Sequence, residues 1–553
     1  MGLFDFFREL WSTPPSALHS NYVLLGGFIG LFGLVSLFVK EKLYLTESLV
    51  ATLVGVAFGP VGLGVVTPQQ WFPDHSYVLR EAARIVIGLQ VMAAGVSVPG
   101  EFLRSNKLAI GMMLGPVMVV MWIISALCIQ VALRLGWRES FIIAACVTPT
   151  DPVLAHSVIK GKFAERYIPT RLRHLLAVES GANDGLGFPF MMLPIWLMLQ
   201  SSPGDAVAHW LVHTWLWEIL VSIIVGFICG FGARTLLKAS MARKLIDKES
   251  FLVFTIALTM FVSGLVALMA SDDLFAIFIA GNVFAWDDTF DSATQDSHIA
   301  EVMDMLFNMT FFVFLGALIP WAEFARFGIL KLSLTAGLIL LFRRLPIVML
   351  MRHVIPTLQS KKEAFFAGWF GPIGVGAIFF AIQARDIFQA HPTTVVDSAF
   401  LESIFPVVTF VVLGSILIHG ITVPLTNSHL KRRMKRKVKR RNKLAQQLAS
   451  MSVLGETPAE TPILDPHEEH EEEYVYITDD EGEGEDELTE SPLSDVVVDD
   501  PTLRETFESP GSSIQSPRRR KKHAEQSDQR DQPDKSNQLH RPDGQMESIE
   551  SSG

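Results

Sequence analysis

The chain has 553 residues, of which 50% are hydrophobic and only 19% are charged, and its mean hydropathy is positive. A soluble protein of this length carries more charge, so this composition excludes an ordinary soluble protein. The formal net charge of −11 is unevenly spread and indicates no particular partner. The three cysteines, Cys128, Cys146 and Cys229, all lie in apolar runs and predict no disulfide framework. The N-terminal "MGLFDFFREL" does not resemble a cleavable signal peptide, so we expect the first apolar run to direct membrane insertion.

Apolar runs of about 20 residues, the length of a membrane-spanning helix, recur from Tyr22 to Thr426. They predict an all-α polytopic membrane protein with about thirteen transmembrane helices, and twelve is the alternative count. The second, ninth and twelfth spans are the least clearly marked. The predicted spans are 21–39, 44–66, 78–98, 108–133, 138–159, 171–199, 211–237, 249–270, 272–286, 300–320, 328–351, 363–384 and 399–426.

Charge and composition divide the chain into an N-terminal segment (1–20), a transmembrane domain (21–427), a basic juxtamembrane segment (428–445) and a tail (446–553). The basic segment contains "KRRMKRKVKRRNK", which belongs on the cytoplasmic side by the positive-inside rule. The N-terminus is then expected outside. The tail is acidic and rich in Ser, Pro and Gln, so we expect a disordered cytoplasmic segment.

Two predicted spans contain helix-breaking residues. The fifth span reads "CVTPTDPVLAH" and the twelfth reads "WFGPIGVGAIFFA". Proline removes a backbone donor and clashes with the preceding turn, so both helices should unwind within the membrane. Broken helices in matching positions of two halves indicate an inverted-repeat transporter. Two ordinary proline kinks are the alternative interpretation.

The sixth span places polar residues in an apolar run, "LLAVESGANDGLGFPF". Glu179 and Asn183 are four residues apart, as are Ser180 and Asp184, so each pair shares a helix face. Gly181 and Gly185 are also four apart, and their missing side chains permit another helix to approach closely. The polar residues can therefore face protein and not lipid.

We expect Asp184 and Ser180 to face the unwound part of the fifth span. There, Thr150 offers a hydroxyl and Asp151 a carboxylate, which completes a set of oxygen ligands suited to a hard cation. Ionisable groups within a bilayer mark ion pathways or proton relays by default. One buried carboxylate can hold a proton or help to hold Na⁺, and this competition is the minimal device for exchange. A neutral, hydrogen-bonded packing carboxyl is the alternative.

Four further charged residues lie in or beside predicted spans. Arg343 and Arg344 fall in the middle of the eleventh span, and Glu179 is the natural counter-ion for one of them. The sequence does not choose between the two arginines, and we weakly favour Arg343. Asp272 and Asp273 lie at a helix start, where they either cap the helix or form a secondary cation site.

The motifs "TPTDP", "ESGANDGLGFPF", "LFRRLP" and "GPIGVGAIFFA", in this order and spacing, resemble the monovalent cation/proton antiporter family. More narrowly, they resemble the fungal plasma-membrane Na⁺/H⁺ antiporters. The resemblance covers about residues 20–430 and the basic segment. It implies the inverted-repeat Na⁺/H⁺ antiporter fold with discontinuous helices, a homodimer, and a moving six-helix core that gives alternating access.

The resemblance also implies the site and the activity. A secondary active antiporter, not an enzyme, would export Na⁺, and also Li⁺ or K⁺, in exchange for H⁺, with no cofactor and no nucleic-acid partner. It would be a multi-pass protein of the plasma membrane in contact with lipid. Its cation site would be lined by Asp184, Asp151, Thr150 and Ser180 and supported by Asn183. Prokaryotic members often add a glutamate in the third span, which is absent here from Met92–Ala94.

Two other classes fit the sequence less well. An intramembrane aspartyl protease needs a Gly-x-Gly-Asp sequence, whereas Asp184 follows "GAN". A cation channel needs a selectivity filter, and no stretch of the chain resembles one. Cation preference, the ratio of protons to cations and the choice between plasma and endosomal membrane stay open.

Overall fold

A computed structural model of the chain describes residues 17–43, 45–71, 74–152, 154–155, 168–286, 299–392, 396–422 and 436. All of them belong to one compact unit, Met1–Thr489. The described residues form helices joined by turns, with no β-strand among them, so the all-helical prediction is confirmed. The basic juxtamembrane segment and the tail lie outside the described residues apart from Arg436, and their assignments stay predictions.

We number the helices in chain order. Among the described residues, the helices of the first half used below are α1 Ala17–Leu37, α2 Glu47–Phe58, α3 Pro68–Trp71, α4 His75–Val96, α5 Gly100–Ser105, α6 Lys107–Leu133, α7 Trp137–Val147, α8 Thr170–Leu199 and α9 Pro203–Ala242. Those that follow in the described part of the chain are α10 Lys248–Leu268, α11 Asp273–Phe284, α12 Ile299–Ala317, α13 Trp321–Phe327, α14 Ile329–Phe342, α15 Leu345–Met351, α16 Lys361–Trp369, α17 Val375–Gln389 and α18 Ser398–Thr422.

Each predicted span contains a helix, but the helices differ in length. Among the described residues, α6, α9, α18 and the pair α14–α15 are long and apolar enough to cross a membrane. A fifth crossing is added if Met305–Ala317 and Trp321–Phe327, which are bent by 55° against each other, form one span. Helices α2 and α11 are apolar but have only 12 residues each. The number of membrane crossings therefore stays a prediction.

Glycines let several of these helices touch through their backbones. A Cβ added to Gly316 of α12 would lie 2.9 Å from the Cα of Gly55 in α2. A Cβ added to Gly230 of α9 would lie 2.9 Å from the Cα of Ala280 in α11. Helices in lipid gain little from burying apolar surface, so such close packing is a main source of their association.

The breaks predicted in the fifth and twelfth spans are present. Helix α7 ends at Val147, and Thr148–Asp151 are not helical; likewise α16 and α17 are separated by Phe370–Gly374. A third break, at Arg343–Arg344 between α14 and α15, was not predicted, although Pro346 in the first turn of α15 signals it. By contrast, α8 continues through two prolines without a break. The three breaks lie close together, as the contacts below show.

Candidate functional site

The two broken spans meet where their helices are interrupted. The backbone N–H of Asp151 donates a 2.8 Å hydrogen bond to the carbonyl oxygen of Pro372. Within a bilayer, unwound backbone must find such partners because water is scarce. This bond fixes the fifth span against the twelfth.

The Asp151 carboxylate accepts hydrogen bonds from the second halves of both spans. Its Oδ1 accepts from Val375 N and its Oδ2 from Leu154 N, each at 2.8 Å. The residue is buried, with 2% of its surface exposed. A carboxylate favours helix N-termini because of their partial positive charge. Each carboxylate oxygen has a further lone pair. We call the place where the breaks at Thr148–Asp151 and Phe370–Gly374 meet the crossing. Asp151 can therefore hold the crossing together and still offer oxygen to a ligand.

Arg343 binds the ends of the first halves of the same spans. Its Nη1 donates to the carbonyl oxygen of Val147, with the carbonyls of Thr148 and Pro149 at 3.3 and 3.5 Å. Its Nη2 donates to Gly371 O at 2.5 Å. Cations favour helix C-termini, where carbonyl oxygens lack partners. The expectation that Arg343 pairs with Glu179 is therefore wrong, because its guanidinium is engaged by backbone carbonyls.

Glu179 pairs with Arg344 instead. The two arginine Nη atoms donate to the two carboxylate oxygens, with Nη2 2.6 Å from Oε2. Both side chains are buried, with 3% and 4% of their surfaces exposed. The Nε of Arg344 also donates to Ala367 O at 2.8 Å. Because the helix is broken at this point, the neighbouring arginines reach in different directions, one towards α8 and the other towards the crossing.

Helix α18 also binds the backbone at the second break, between α16 and α17. The hydroxyl of Ser415 accepts a 2.7 Å hydrogen bond from Ile373 N. His419 Nε2 lies 3.0 Å from Trp369 O. Sequence reasoning missed Ser415, because one serine in an apolar helix gives no distinguishing pattern.

Asp184 is the buried carboxylate that is left without a partner in the part of the chain described here. None of its surface is exposed, and neither oxygen accepts a hydrogen bond from a described residue. A Cβ added to Gly376 would lie 2.6 Å from its Oδ1, and one added to Gly374 would lie 2.6 Å from Asp151 Oδ2. Both aspartates therefore border the same short stretch of backbone. A buried carboxylate without partners is costly and calls for a proton or a cation.

The other predicted site residues lie beside these aspartates. Asn183 Nδ2 donates a 2.7 Å hydrogen bond to Thr150 Oγ1, which ties α8 to the first break. The Oδ1 of Asn183 has no partner among the described residues. The hydroxyl of Ser180 is buried on the Asp184 face of α8 and donates to Ala177 O at 3.3 Å. The structure thus brings the predicted oxygen-bearing residues to one crossing.

Asp272 and Asp273 have different surroundings. The carboxylate of Asp273 is 3.0 Å from Arg84 Nη1 and accepts a 2.5 Å hydrogen bond from Ser263 Oγ. Asp272 caps α11 by accepting from Phe275 N at 3.0 Å, and its other oxygen has no partner among the described residues. The capping alternative is thus present for Asp272, and an arginine neutralises Asp273.

Both residues line a cavity of about 750 Å³ between α4, α8, α9, α10, α11 and α17. Glu218 of α9 also lines it, with one carboxylate oxygen lacking a partner in the described structure. Sequence reasoning missed Glu218, although an ionisable residue inside an apolar span was the signal that could have identified it. Other polar side chains in the lining include Arg84, His213, Ser271, Gln383 and His391.

The crossing lies in the part of the chain that matches a known protein family. A sequence model of the family described as sodium/hydrogen exchanger, transmembrane, matches residues 29–427. A probable Na⁺/H⁺ antiporter of Schizosaccharomyces pombe is 39% identical over 431 residues, which cover 75% of this chain and 56% of that protein. A second antiporter of that yeast is 32% identical over 419 residues, covering 73% of this chain and 89% of its own length. The chain spans about half the length of several curated relatives that it matches.

A solved structure gives an independent comparison of the fold. The sodium proton antiporter MjNhaP1 from Methanocaldococcus jannaschii superimposes with a TM-score of 0.55 and 18% sequence identity. The superposition covers 75% of this chain and 98% of that one. At this identity the match shows the shared fold alone.

Proposed function

The chain belongs to the sodium/hydrogen exchanger family, and on that premise we propose that it exchanges Na⁺ for H⁺ across a membrane. The observation that carries the proposal is the Asp184 carboxylate, which is fully buried and accepts no hydrogen bond from any described residue. Such a group is stabilised by binding either a proton or a cation. Because one carboxylate cannot hold both well, loading one ion releases the other.

Asp151, Thr150, Ser180 and Asn183 support this competition. Asp151 brings a second carboxylate to the backbone at Gly374–Gly376, and its further lone pairs can face a cation. Thr150, Ser180 and Asn183 add neutral oxygens, which suit a hard monovalent ion. We assign Asn183 mainly to holding Thr150 in place, because its amide nitrogen donates to that hydroxyl.

Arg343, Arg344 and Glu179 have a structural role in this proposal. The Glu179–Arg344 pair neutralises itself, and Arg343 is occupied by backbone carbonyls. Glu179 is therefore not free to bind the transported cation, and neither arginine is free to compete with that cation for Asp184. Their charges hold the broken helices together while Asp184 exchanges a proton for a cation.

The cavity beside Asp272 is the outer approach to the site in this proposal. On the predicted topology, the start of α11 lies at the outer face, and Asp272 and Glu218 place carboxyl groups in the cavity wall. Acidic walls attract cations from solution. The secondary cation site predicted at Asp272 and Asp273 is thereby narrowed to Asp272, since Arg84 pairs with Asp273.

We further propose Na⁺ as the main cation, with Li⁺ and K⁺ as additional substrates, in a plasma-membrane homodimer whose C-terminal tail is cytoplasmic. The printed names of the yeast relatives as Na⁺/H⁺ antiporters support the cation. The ten cations of "KRRMKRKVKRRNK" support the orientation.

Proton flux in vesicles containing the purified full-length chain tests the proposal. Adding Na⁺, Li⁺ or K⁺ to one side should drive protons to the other, detected with a pH-sensitive dye inside the vesicles. Liposomes without protein are the control. A cation current that moves no protons would instead identify a channel and contradict the proposal.

A further inference from the structure

Gln90, in the second half of α4, has a buried side-chain oxygen without a partner in the described part of the chain. It is 1% exposed, and its Oε1 accepts no hydrogen bond from any described residue. Its neighbours Ile87 and Val91 are fully buried apolar residues. Leaving an amide oxygen unpaired in such surroundings lowers stability. A ligand that binds this oxygen would explain why the group is there.

The direction of α4 follows from its contacts with α11. Arg84, near the middle of α4, pairs at 3.0 Å with Asp273, the first residue of α11. Further along, a Cβ added to Gly95 would lie 3.3 Å from the Cα of Gly281. Because both contacts advance in the same sense, α4 and α11 run parallel.

Helix α8 is antiparallel to both α4 and α11. A Cβ added to Gly181 would lie 3.0 Å from the ring of Phe278, and one added to Gly185 would lie 2.7 Å from the Cα of Phe275. The numbers rise along α8 while they fall along α11, so α8 is antiparallel to α11. It is therefore antiparallel to α4 as well.

This alignment places Gln90 at the level of Asp184. Helices α4 and α8 touch at Ala94 and Gly181, where a Cβ added to the glycine would lie 2.9 Å from the alanine Cβ. Gln90 precedes Ala94 by four residues and so shares its helix face. Asp184 follows Gly181 by three residues and shares the face of that glycine. In antiparallel helices both steps lead the same way along the axis, by about 4.5 Å on α8 and about 6 Å on α4 at 1.5 Å per residue.

Contacts with α17 give the same level independently. Arg80 pairs with Asp386, and the guanidinium of Arg84 lies 5.3 Å from the ring centre of Phe379. Helix α17 is therefore antiparallel to α4. Gln90 is six residues beyond Arg84, which places it beside the first turn of α17.

That first turn contains Gly376, the residue that borders Asp184. Two neighbouring helices thus place Gln90 at the same depth as the buried carboxylate. We propose that Gln90 Oε1 is a further ligand of the transported cation, supplied by α4 to the site that Asp184 and Asp151 border. This inference rests on the proposed function and adds a ligand to it.

An amide oxygen gives this ligand a distinct effect. It is a hard donor that suits an alkali cation, but it neither carries charge nor binds the exchanged proton. Gln90 therefore strengthens cation binding without adding a group that titrates. Removing it should weaken apparent Na⁺ affinity and leave the maximal rate at saturating Na⁺ largely intact.

Na⁺-driven proton flux of the full chain in vesicles tests this with Gln90→Leu. We expect the Na⁺ concentration for half-maximal flux to rise at least about tenfold, because losing even a group that only supports a metal ligand usually weakens binding about 10–100-fold. The melting temperature should equal or exceed that of the parent, because an unpaired buried amide is removed. A merely structural glutamine would give the opposite result, a lower melting temperature with unchanged affinity.

Thr409→Val is the matched control. Thr409 of α18 is also fully buried, and its hydroxyl has no partner among the described residues. The substitution keeps the shape of the side chain and should leave Na⁺ affinity unchanged. A tenfold change in this control as well would overturn the assignment, since the effect would then not be specific to Gln90.

Gln90→Glu decides the matter if Gln90→Leu does not fold. A third carboxylate near Asp184 and Asp151 should let protons compete with Na⁺ at higher pH, because like charges favour protonation. A folded Gln90→Glu or Gln90→Leu with the Na⁺ affinity and pH profile of the parent overturns the inference. Failure of the proposed function is separate, because the parent itself would then show no Na⁺-driven proton flux.

Discussion

Asp151 and Arg343 bind the two sides of the same pair of helix breaks, in the fifth and twelfth spans. The carboxylate accepts hydrogen bonds from backbone N–H groups that begin the second halves, at Leu154 and Val375. The guanidinium donates to carbonyls at the ends of the first halves, including Gly371. Each fixed charge thus faces helix ends of opposite partial charge. The backbone groups at the two breaks are thus hydrogen-bonded by Asp151 and Arg343, and Asp184 stays available to bind the transported ions.

Arg343→Ala should destabilise the protein more than Arg343→Lys does. Alanine leaves the carbonyl oxygens of both breaks without their donor, at a cost of about 1–3 kcal/mol for each group left unpaired. Lysine keeps the charge but has no planar fork with which to reach both breaks. Thermal unfolding of the detergent-solubilised protein measures the order of the two variants. An alanine variant as stable as the parent would show that the guanidinium does not hold the crossing.

Glu179→Ala should lower the free energy of unfolding by about 3–5 kcal/mol, because it leaves Arg344 buried without its counter-ion. Removing the arginine as well, in Glu179→Ala with Arg344→Met, should restore part of the loss. The yield of folded protein and its melting temperature measure both effects.

Glu402→Ala is the control for that pair. It removes an exposed ion pair with Arg326, in which both side chains are more than half exposed. Such pairs contribute little, so no measurable change is expected. If Glu179→Ala melts like this control, the buried pair is not a stabilising element.

Gly376→Ala should abolish exchange. The added methyl group would lie 2.6 Å from Asp184 Oδ1, closer than such atoms can approach, so the carboxylate must move or its ligand must leave. Gly337→Ala in α14 is the control, because its added Cβ meets no atom within 4 Å. Vesicle flux of correctly inserted protein should distinguish the two substitutions. Equal flux in both would place the working carboxylate elsewhere.

The broken spans could be predicted because proline and glycine act locally. Pro149 and Pro152, and Pro372 with its flanking glycines, unwind a helix whatever surrounds it. The polar residues of α8 were recognisable for a similar reason, since Asp184 is costly in an apolar run wherever it points. The meeting of the broken spans with the polar residues of α8 was expected from the resemblance and from the chemistry of oxygen ligands. The observed hydrogen bonds give its geometry.

Other features depend on tertiary structure that no local pattern encodes. The choice between Arg343 and Arg344 could not be predicted, because the break between α14 and α15 removes the helical periodicity that would have separated them. Asp272 and Asp273 are neighbours whose difference depends on Arg84, a residue distant in sequence. Gln90 could not be singled out from the sequence, because the family resemblance points to a charged group at Met92–Ala94 and an uncharged amide in an apolar helix gives no signal until its burial is known.

Na⁺-driven proton flux of Asp184→Asn in reconstituted vesicles tests the central claim most directly. Asparagine keeps the shape of the side chain and one oxygen, but it neither carries the charge nor binds the exchanged proton. Asp205→Asn is the matched control, because that carboxylate lies exposed near the start of α9. We expect folded, inserted Asp184→Asn to move no protons in response to Na⁺ while Asp205→Asn matches the parent. Exchange by Asp184→Asn at the parental rate would contradict the account.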